Sequence, residues 1–251
     1  MASNGRYISE KRREAWDYGN RHRDRLVDGY VIDHRLTERP FLKDIIDDLI
    51  EEQQHVRLLS GPLRLDTYGQ TERIGGRIEI TVNSRINEMI YVKDVDGVAN
   101  ATKWHESVHA ERDLGVQEID GDGSQQVFTV PGFEKHSLGL IVCRDVEKIG
   151  YGGEEREREF FAENAGIAAA ISGADLLRCE EFLEFKELVI LGGDITLPGW
   201  DLIKAIAGRI GVNRTAITRY FCQRGIVQTE QIGGRQRLIA VVPLFGDLQW
   251  P

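Results

Sequence analysis

Several features that mark large protein classes are missing from this sequence. No apolar stretch approaches the roughly 20 residues that a membrane-spanning helix needs. Residues 1–30 are polar and charged where a secretory signal requires an apolar centre. Cysteine is scarce: Cys143, Cys179 and Cys222 are odd in number, widely spaced, and none belongs to a C-x-x-C pair. That pattern argues against a disulfide framework and against a cysteine zinc knuckle, and suits free thiols in a reducing compartment. The chain also lacks surplus positive charge. With 32 Lys and Arg against 41 Asp and Glu the formal charge is −9, so the chain as a whole carries no electrostatic footprint for nucleic acid. There is no internal repeat and no low-complexity segment. The expectation is a soluble cytoplasmic protein.

What is present fits an ordinary globular chain. Its 251 residues can bury a proper core, as one large domain or as a domain plus a small module. Apolar residues at 41% and charged residues at 29% argue against wholesale disorder. A basic cluster of Lys11, Arg12, Arg13, Arg21, Arg23 and Arg25 near the N-terminus reads as a solvated helix face.

Residues 8–26 read as a helix. After Pro40, Phe41, Ile45, Ile46, Leu49 and Ile50 recur at helical spacing. Val56–Leu59 and Leu63–Leu65 are short apolar runs, Gly76–Asn83 alternates as a half-buried strand should, and Met89–Val92 reads as another strand. Asp96–Asp113 is helical, with Gly115 as a stop. Gln126–Val130 and Leu138–Cys143 are strand-like, a glutamate-rich helix runs from Glu154 to Ile171, and another covers Ala174–Glu187. Pro198 marks a break and a change of character. Beyond it, Leu202–Ile210, the turn 211–213 and Arg214–Arg224 form a helix–turn–helix pattern. Ile226–Val227 and Leu238–Val242 then flank Gly233-Gly234 as a hairpin. The expected organisation is α+β, with one domain over 1–197, including a helical extension over 1–39, and a module over 198–251.

The chemistry concentrates in residues 105–109, His-Glu-Ser-Val-His. On a helix, positions i and i+4 share a face, so His105 and His109 can direct both imidazoles at one ion. Two imidazoles and one carboxylate leave a fourth position open, which suits catalytic Zn2+. Such an ion lowers the pKa of its water from about 15.7 towards 7, and Glu106 beside it is placed to act as general base.

The third ligand must come from elsewhere. Most charges in the segment 154–165 belong on a solvated face, but Glu159 and Glu163 open the apolar part of their helix and can face inward. Glu159 is the favoured ligand. Glu163, one turn on, is the alternative, or the outer partner that orients a histidine.

These residues resemble the ImmA/IrrE family of zinc metallopeptidases. The order carries the likeness: the strand Ile78–Val82, the motif His105–His109, then Glu159-Phe160-Phe161-Ala162 with Ala165–Ile171 following. A segment like Leu202–Phe221, ending at Gly225-Ile226-Val227, continues it, so the resemblance spans roughly residues 41–227. It implies a zincin-like fold, a small twisted sheet with an active-site helix, followed by a helix–turn–helix-like module. It implies His105, His109 and Glu159 as ligands, Glu106 as base, and a protein that cleaves or antagonises a transcriptional repressor. The chain departs from the family in three ways. Val108 stands where glycine is usual, the gap from His109 to Glu159 is long, and a Leu-Leu-Met-Pro ending is absent.

Two further residues have side chains suited to substrate contact. His136, after Pro131-Gly132, and Tyr91, ahead of the motif, are placed to contact substrate, but a surface histidine and a half-buried strand tyrosine are the simpler readings. The rival class is a DNA-binding regulator: Arg209, Arg214, Arg219 and Arg224 sit on or near the second helix of the 202–224 pair, and a hairpin follows as a wing would. Against it, Ile206, Ile210, Val212, Ile217 and Phe221 have the pattern of packing residues.

Overall fold

The first helix, α1 (Ser3–Asp33), is held by a buried stripe of Ala15, Gly19, His22, Arg23, Leu26, Val27 and Tyr30 at three- and four-residue spacing. That stripe carries the helix beyond the expected span of 8–26. The computed structural model describes residues 3–89, 92–115, 140–144 and 153–241. Among the described residues no helix is long and apolar enough to cross a membrane. The architecture is mixed α+β.

Helix α2 (Leu42–Asp48) follows Pro40, and one wider π turn over Leu49–Gln53 extends it. Ile45, Ile46, Leu49 and Ile50 are buried, as their spacing predicts, whereas Phe41 is only half-buried and Leu42 beside it takes the buried place. The first sheet has the order β1-β3-β2-β4, formed by β1 (Arg57–Gly61), β2 (Thr67–Ile74), β3 (Arg77–Asn83) and β4 (Leu140–Arg144). β1 runs parallel to β3, while β2 is antiparallel to both β3 and β4. Strands β2 and β3 join through Gly75 and Gly76, whose φ angles of 56° and 86° suit a two-residue hairpin that side-chain-bearing residues rarely close.

Sequence patterning misses β2 altogether. Its inward positions are Thr67, Gly69 and Thr71 rather than large apolar residues, so no hydrophobic alternation announces it. The Leu63–Leu65 run is loop, with Leu65 exposed. Met89 and Val92, the described ends of another expected strand, lie in no strand, and a single 3-10 turn occupies Ile86–Glu88. Of the later runs, Gln126–Val130 lies outside the described residues, and the second is a strand over Leu140–Arg144.

Two helices cover and back this sheet. α3 (Val95–Arg112) starts at Asp94, whose side chain accepts from the Gly97 N–H at 3.0 Å. α4 (Gly153–Ala170) packs against both α1 and α3. Small residues let the helices approach. A Cβ on Gly19 would lie 2.1 Å from the Ala165 carbonyl oxygen, and one on Gly166 would lie 3.0 Å from the His105 Cα. Arg23 departs from the expected solvated face: it is buried and donates to the carbonyls of Ala168 and Ile171 at 2.8 and 3.3 Å, closing the C-terminus of α4.

The single helix expected over Ala174–Glu187 is two, α5 (Gly173–Leu177) and α6 (Glu180–Leu191). The break follows from tertiary anchoring. Arg178 stacks on Phe41, donates to the Arg39 carbonyl and pairs with buried Asp175, and Cys179 turns extended.

The C-terminal part contains α7 (Thr196–Ile210), α8 (Arg214–Gln223) and a sheet of β5 (Gly193–Asp194), β6 (Val227–Ile232) and β7 (Arg235–Ala240) in the order β5-β7-β6. Pro198 does not break the chain. It sits in the first turn of α7, where its missing N–H costs no helical bond. Strand β5 already belongs to this part, so its secondary structure begins before Pro198. Ile206, Ile210, Val212, Ile217 and Phe221 are buried, in the packing role their pattern predicts. Asn100 donates to the Gly211 carbonyl at 2.9 Å, and Trp16 stacks on Tyr220 with ring centres 4.9 Å apart, so this part packs on α1 and α3.

Candidate metal centre

Helix α3 is buried over most of its second half, from Trp104 to Ala110. That burial forces its polar side chains to find partners inside the protein. His105 and His109 share one face, and their Nε2 atoms stand 3.1 Å apart. Across from them α4 presents Glu159, itself buried. Its Oε2 lies 3.3 Å from His105 Nε2 and its Oε1 lies 3.4 Å from His109 Nε2. These three residues form a group able to hold a metal ion.

The triangle has the right dimensions. Ligand bonds of about 2.0–2.1 Å at tetrahedral angles require ligand atoms about 3.3 Å apart. The three observed separations of 3.1, 3.3 and 3.4 Å match that edge. Among the described residues Glu159 Oε2 is also buried without a hydrogen bond, a costly condition unless another group binds it. The residues therefore fit a divalent cation.

Electrostatics agree with the geometry. Burial opposes a charge on Glu159, but the close approach of the His105 and His109 rings outweighs it and holds the carboxyl at about 2. Burial likewise opposes a proton on His109, yet hydrogen bonds to Asp113 and Glu159 lift its pKa to about 10. The pocket favours a positive charge among these atoms, which a proton supplies in part and a cation supplies fully.

Two neighbours complete the arrangement. Asp113 Oδ2 lies 2.5 Å from His109 Nδ1, so the ring donates its Nδ1–H outward and keeps Nε2 for the centre. Glu106 is fully buried beside the pair, and Thr71 of β2 donates to its Oε2 at 2.5 Å. Its Oε1 has no hydrogen-bond partner among the described residues. Burial raises the Glu106 pKa, against the lowering pull of His105, His109 and Thr71. Gly69, two residues before Thr71, makes room: a Cβ there would lie 2.9 Å from Glu106 Cγ.

No protein-family model matches this chain, and no curated protein matches it.

The expected site residues thus separate cleanly. His105, His109, Glu106 and Glu159 come together. Glu163 does not join them, because it forms an ion pair with Arg219 of α8, one helical turn along α4. Tyr91 and His136 lie outside the described residues. Asp113 and Thr71 were not singled out from sequence. Asp113 had a usable signal, since it continues the i, i+4 face of His105 and His109 by one more turn. Thr71 had none, because its strand shows no apolar alternation.

The four arginines of the rival reading all engage the chain itself. Arg209 pairs with Glu181 at 3.2 Å and Arg219 with Glu163, Arg214 lies over Trp200, and Arg224 lies over Trp16 and Tyr220.

Proposed function

We propose that this chain is a zinc-dependent metallopeptidase of the ImmA/IrrE type, acting on a protein substrate in the cytoplasm, with a transcriptional repressor as the expected target. The convergence of His105 Nε2, His109 Nε2 and the Glu159 carboxylate at tetrahedral edge lengths carries this reading. In this reading the sheet and α3 form a zincin-like domain, and α7, α8 and the hairpin form a winged helix–turn–helix-like module.

His105, His109 and Glu159 would hold the ion. A zinc ion there supplies Lewis-acid activation of water and of the scissile carbonyl. Glu106 performs the proton transfers. Thr71 occupies Oε2, so Oε1 is the oxygen that accepts a proton from the attacking water and delivers it to the leaving amine. Asp113 keeps the His109 ring in the tautomer that presents Nε2.

The free Glu106 Oε1 favours a peptidase over a metal-stabilised binding module, which has no use for a buried base. The internal partners of the four arginines weigh against α8 as a DNA reader. The test is co-expression with candidate repressors, scored for cleavage. Glu106→Gln is expected to keep the metal and lose cleavage, and normal cleavage by that variant would overturn the mechanism.

A further inference from the structure

Behind the metal face, α3 carries a second set of buried polar contacts that the chemistry above does not use. Ser107 and Glu111 lie two residues beyond His105 and His109, about 200° around the helix. His22 of α1 reaches both: its Nε2 is 2.6 Å from Ser107 Oγ and its Nδ1 is 2.6 Å from a Glu111 carboxylate oxygen. Arg25 of α1 pairs with the same carboxylate. From the other side comes Gln54, turned inward directly after the π turn. Its Nε2 donates to the Ser107 carbonyl at 2.7 Å, and its Oε1 accepts from the Ser107 hydroxyl at 2.8 Å.

Serine, histidine and glutamate in this order have the composition of a hydrolase relay, but Ser107 is no nucleophile. It is wholly buried, and its hydroxyl hydrogen is committed to Gln54, whose amide nitrogen already faces the Ser107 carbonyl. With that hydrogen committed, Ser107 Oγ accepts from His22 Nε2–H, while His22 Nδ1 lies against the Glu111 carboxylate. The two ring nitrogens of His22 therefore engage α3 at side chains one full turn apart.

A bridge across one turn resists what the metal centre tolerates least. Sliding or rotating α3 moves His105 and His109 together relative to Glu159 on α4, and such sites work only within about 0.5 Å and 10–20° of their geometry. We infer that His22 is a positioning residue of the metal centre: by bridging Ser107 and Glu111 on the far side of α3, it sets the rotation at which His105 and His109 meet Glu159. The N-terminal helix is then a working part of the site rather than an extension. This inference rests on the metal-centre reading above.

The experiment uses the full chain and Co2+ as the probe. Affinity is measured by competition with a chromophoric chelator, coordination geometry by the visible absorption of bound cobalt, and folding by thermal unfolding without metal. His22→Ala is expected to weaken cobalt binding 10–100-fold, the range for partners outside the ligand set, and to alter the absorption bands. His22→Gln, which keeps one N–H donor, is expected to recover part of the affinity. Tyr30→Ala is the control. It removes a contact of the same helix, the hydroxyl bond to Asp48 on α2, and is expected to lower stability while leaving affinity and bands unaltered. A folded His22→Ala protein with unaltered affinity and bands would overturn the inference. Should His22→Ala fail to fold, unaltered binding by His22→Gln overturns it equally. No cobalt binding by the parent chain would overturn the metal reading as well, whereas tight parental binding with insensitive His22 variants sinks this inference alone.

Discussion

The metal face of α3 and the α7–α8 pair are both rich in charged side chains, and they treat those charges in opposite ways. Around α7 and α8, Arg209, Arg214, Arg219 and Arg224 each find an ion-pair or aromatic partner inside the chain. At the metal centre, Glu106 of α3 and Glu159 of α4 are buried deeper, yet each keeps one carboxylate oxygen with no hydrogen bond among the described residues. A folded protein rarely leaves a buried carboxylate oxygen unmatched, since each costs about 1–3 kcal/mol or more. Satisfied charges describe packing. Arg224 Nε and Glu181 Oε2 are also buried without a partner among the described residues. The metal centre is therefore marked by its unmatched oxygens converging with two imidazoles rather than by the unmatched atoms alone.

The comparison can be broken by removing partners and following metal affinity. The largest effect is expected from His105→Ala, a loss of more than about 100-fold, beyond what partners outside the ligand set carry. Zinc retention near the parental level in that variant would remove the distinction between the two regions. Asp113→Ala comes next, with an expected 10–100-fold loss because the His109 ring is freed to rotate and change tautomer. Isothermal titration with zinc checks both variants. Glu163→Gln sharpens the contrast from the other side. It breaks only the pair with Arg219, both partners being partly exposed, so affinity should not change and stability should fall by about 0–1 kcal/mol. Denaturant unfolding alongside the titration reads both quantities, and a fall in affinity would return Glu163 to the centre.

The histidine spacing was legible because the helix is regular: His105 and His109 share a face whatever the rest of the fold does. Choosing Glu159 over Glu163 needed more, since both open the apolar stretch of α4. What separates them is Arg219, more than fifty residues away, which draws Glu163 aside, and no local pattern announces that pairing. Strand β2 escaped for a related reason. It sits over Glu106, where Gly69 leaves room and Thr71 supplies a donor, and those needs replaced the large apolar residues that advertise a strand. Arg23 was misread as solvated because arginine is usually exposed, and only the open end of α4 makes its burial favourable. The helix broken at Arg178 likewise follows from distant anchors, Phe41 and the Arg39 carbonyl. Local periodicity survived where packing agreed with it and failed where the site or a long-range partner overruled it.

The central claim is that His105, His109 and Glu159 hold one zinc ion. X-ray absorption on the zinc-loaded chain tests it most directly. The account predicts one zinc per chain, with two imidazole nitrogens and carboxylate or water oxygen at about 2.0–2.2 Å, and loss of that signature in Glu159→Gln. A chain that retains no zinc, or one whose spectrum is the same with and without the Glu159 carboxylate, would contradict it.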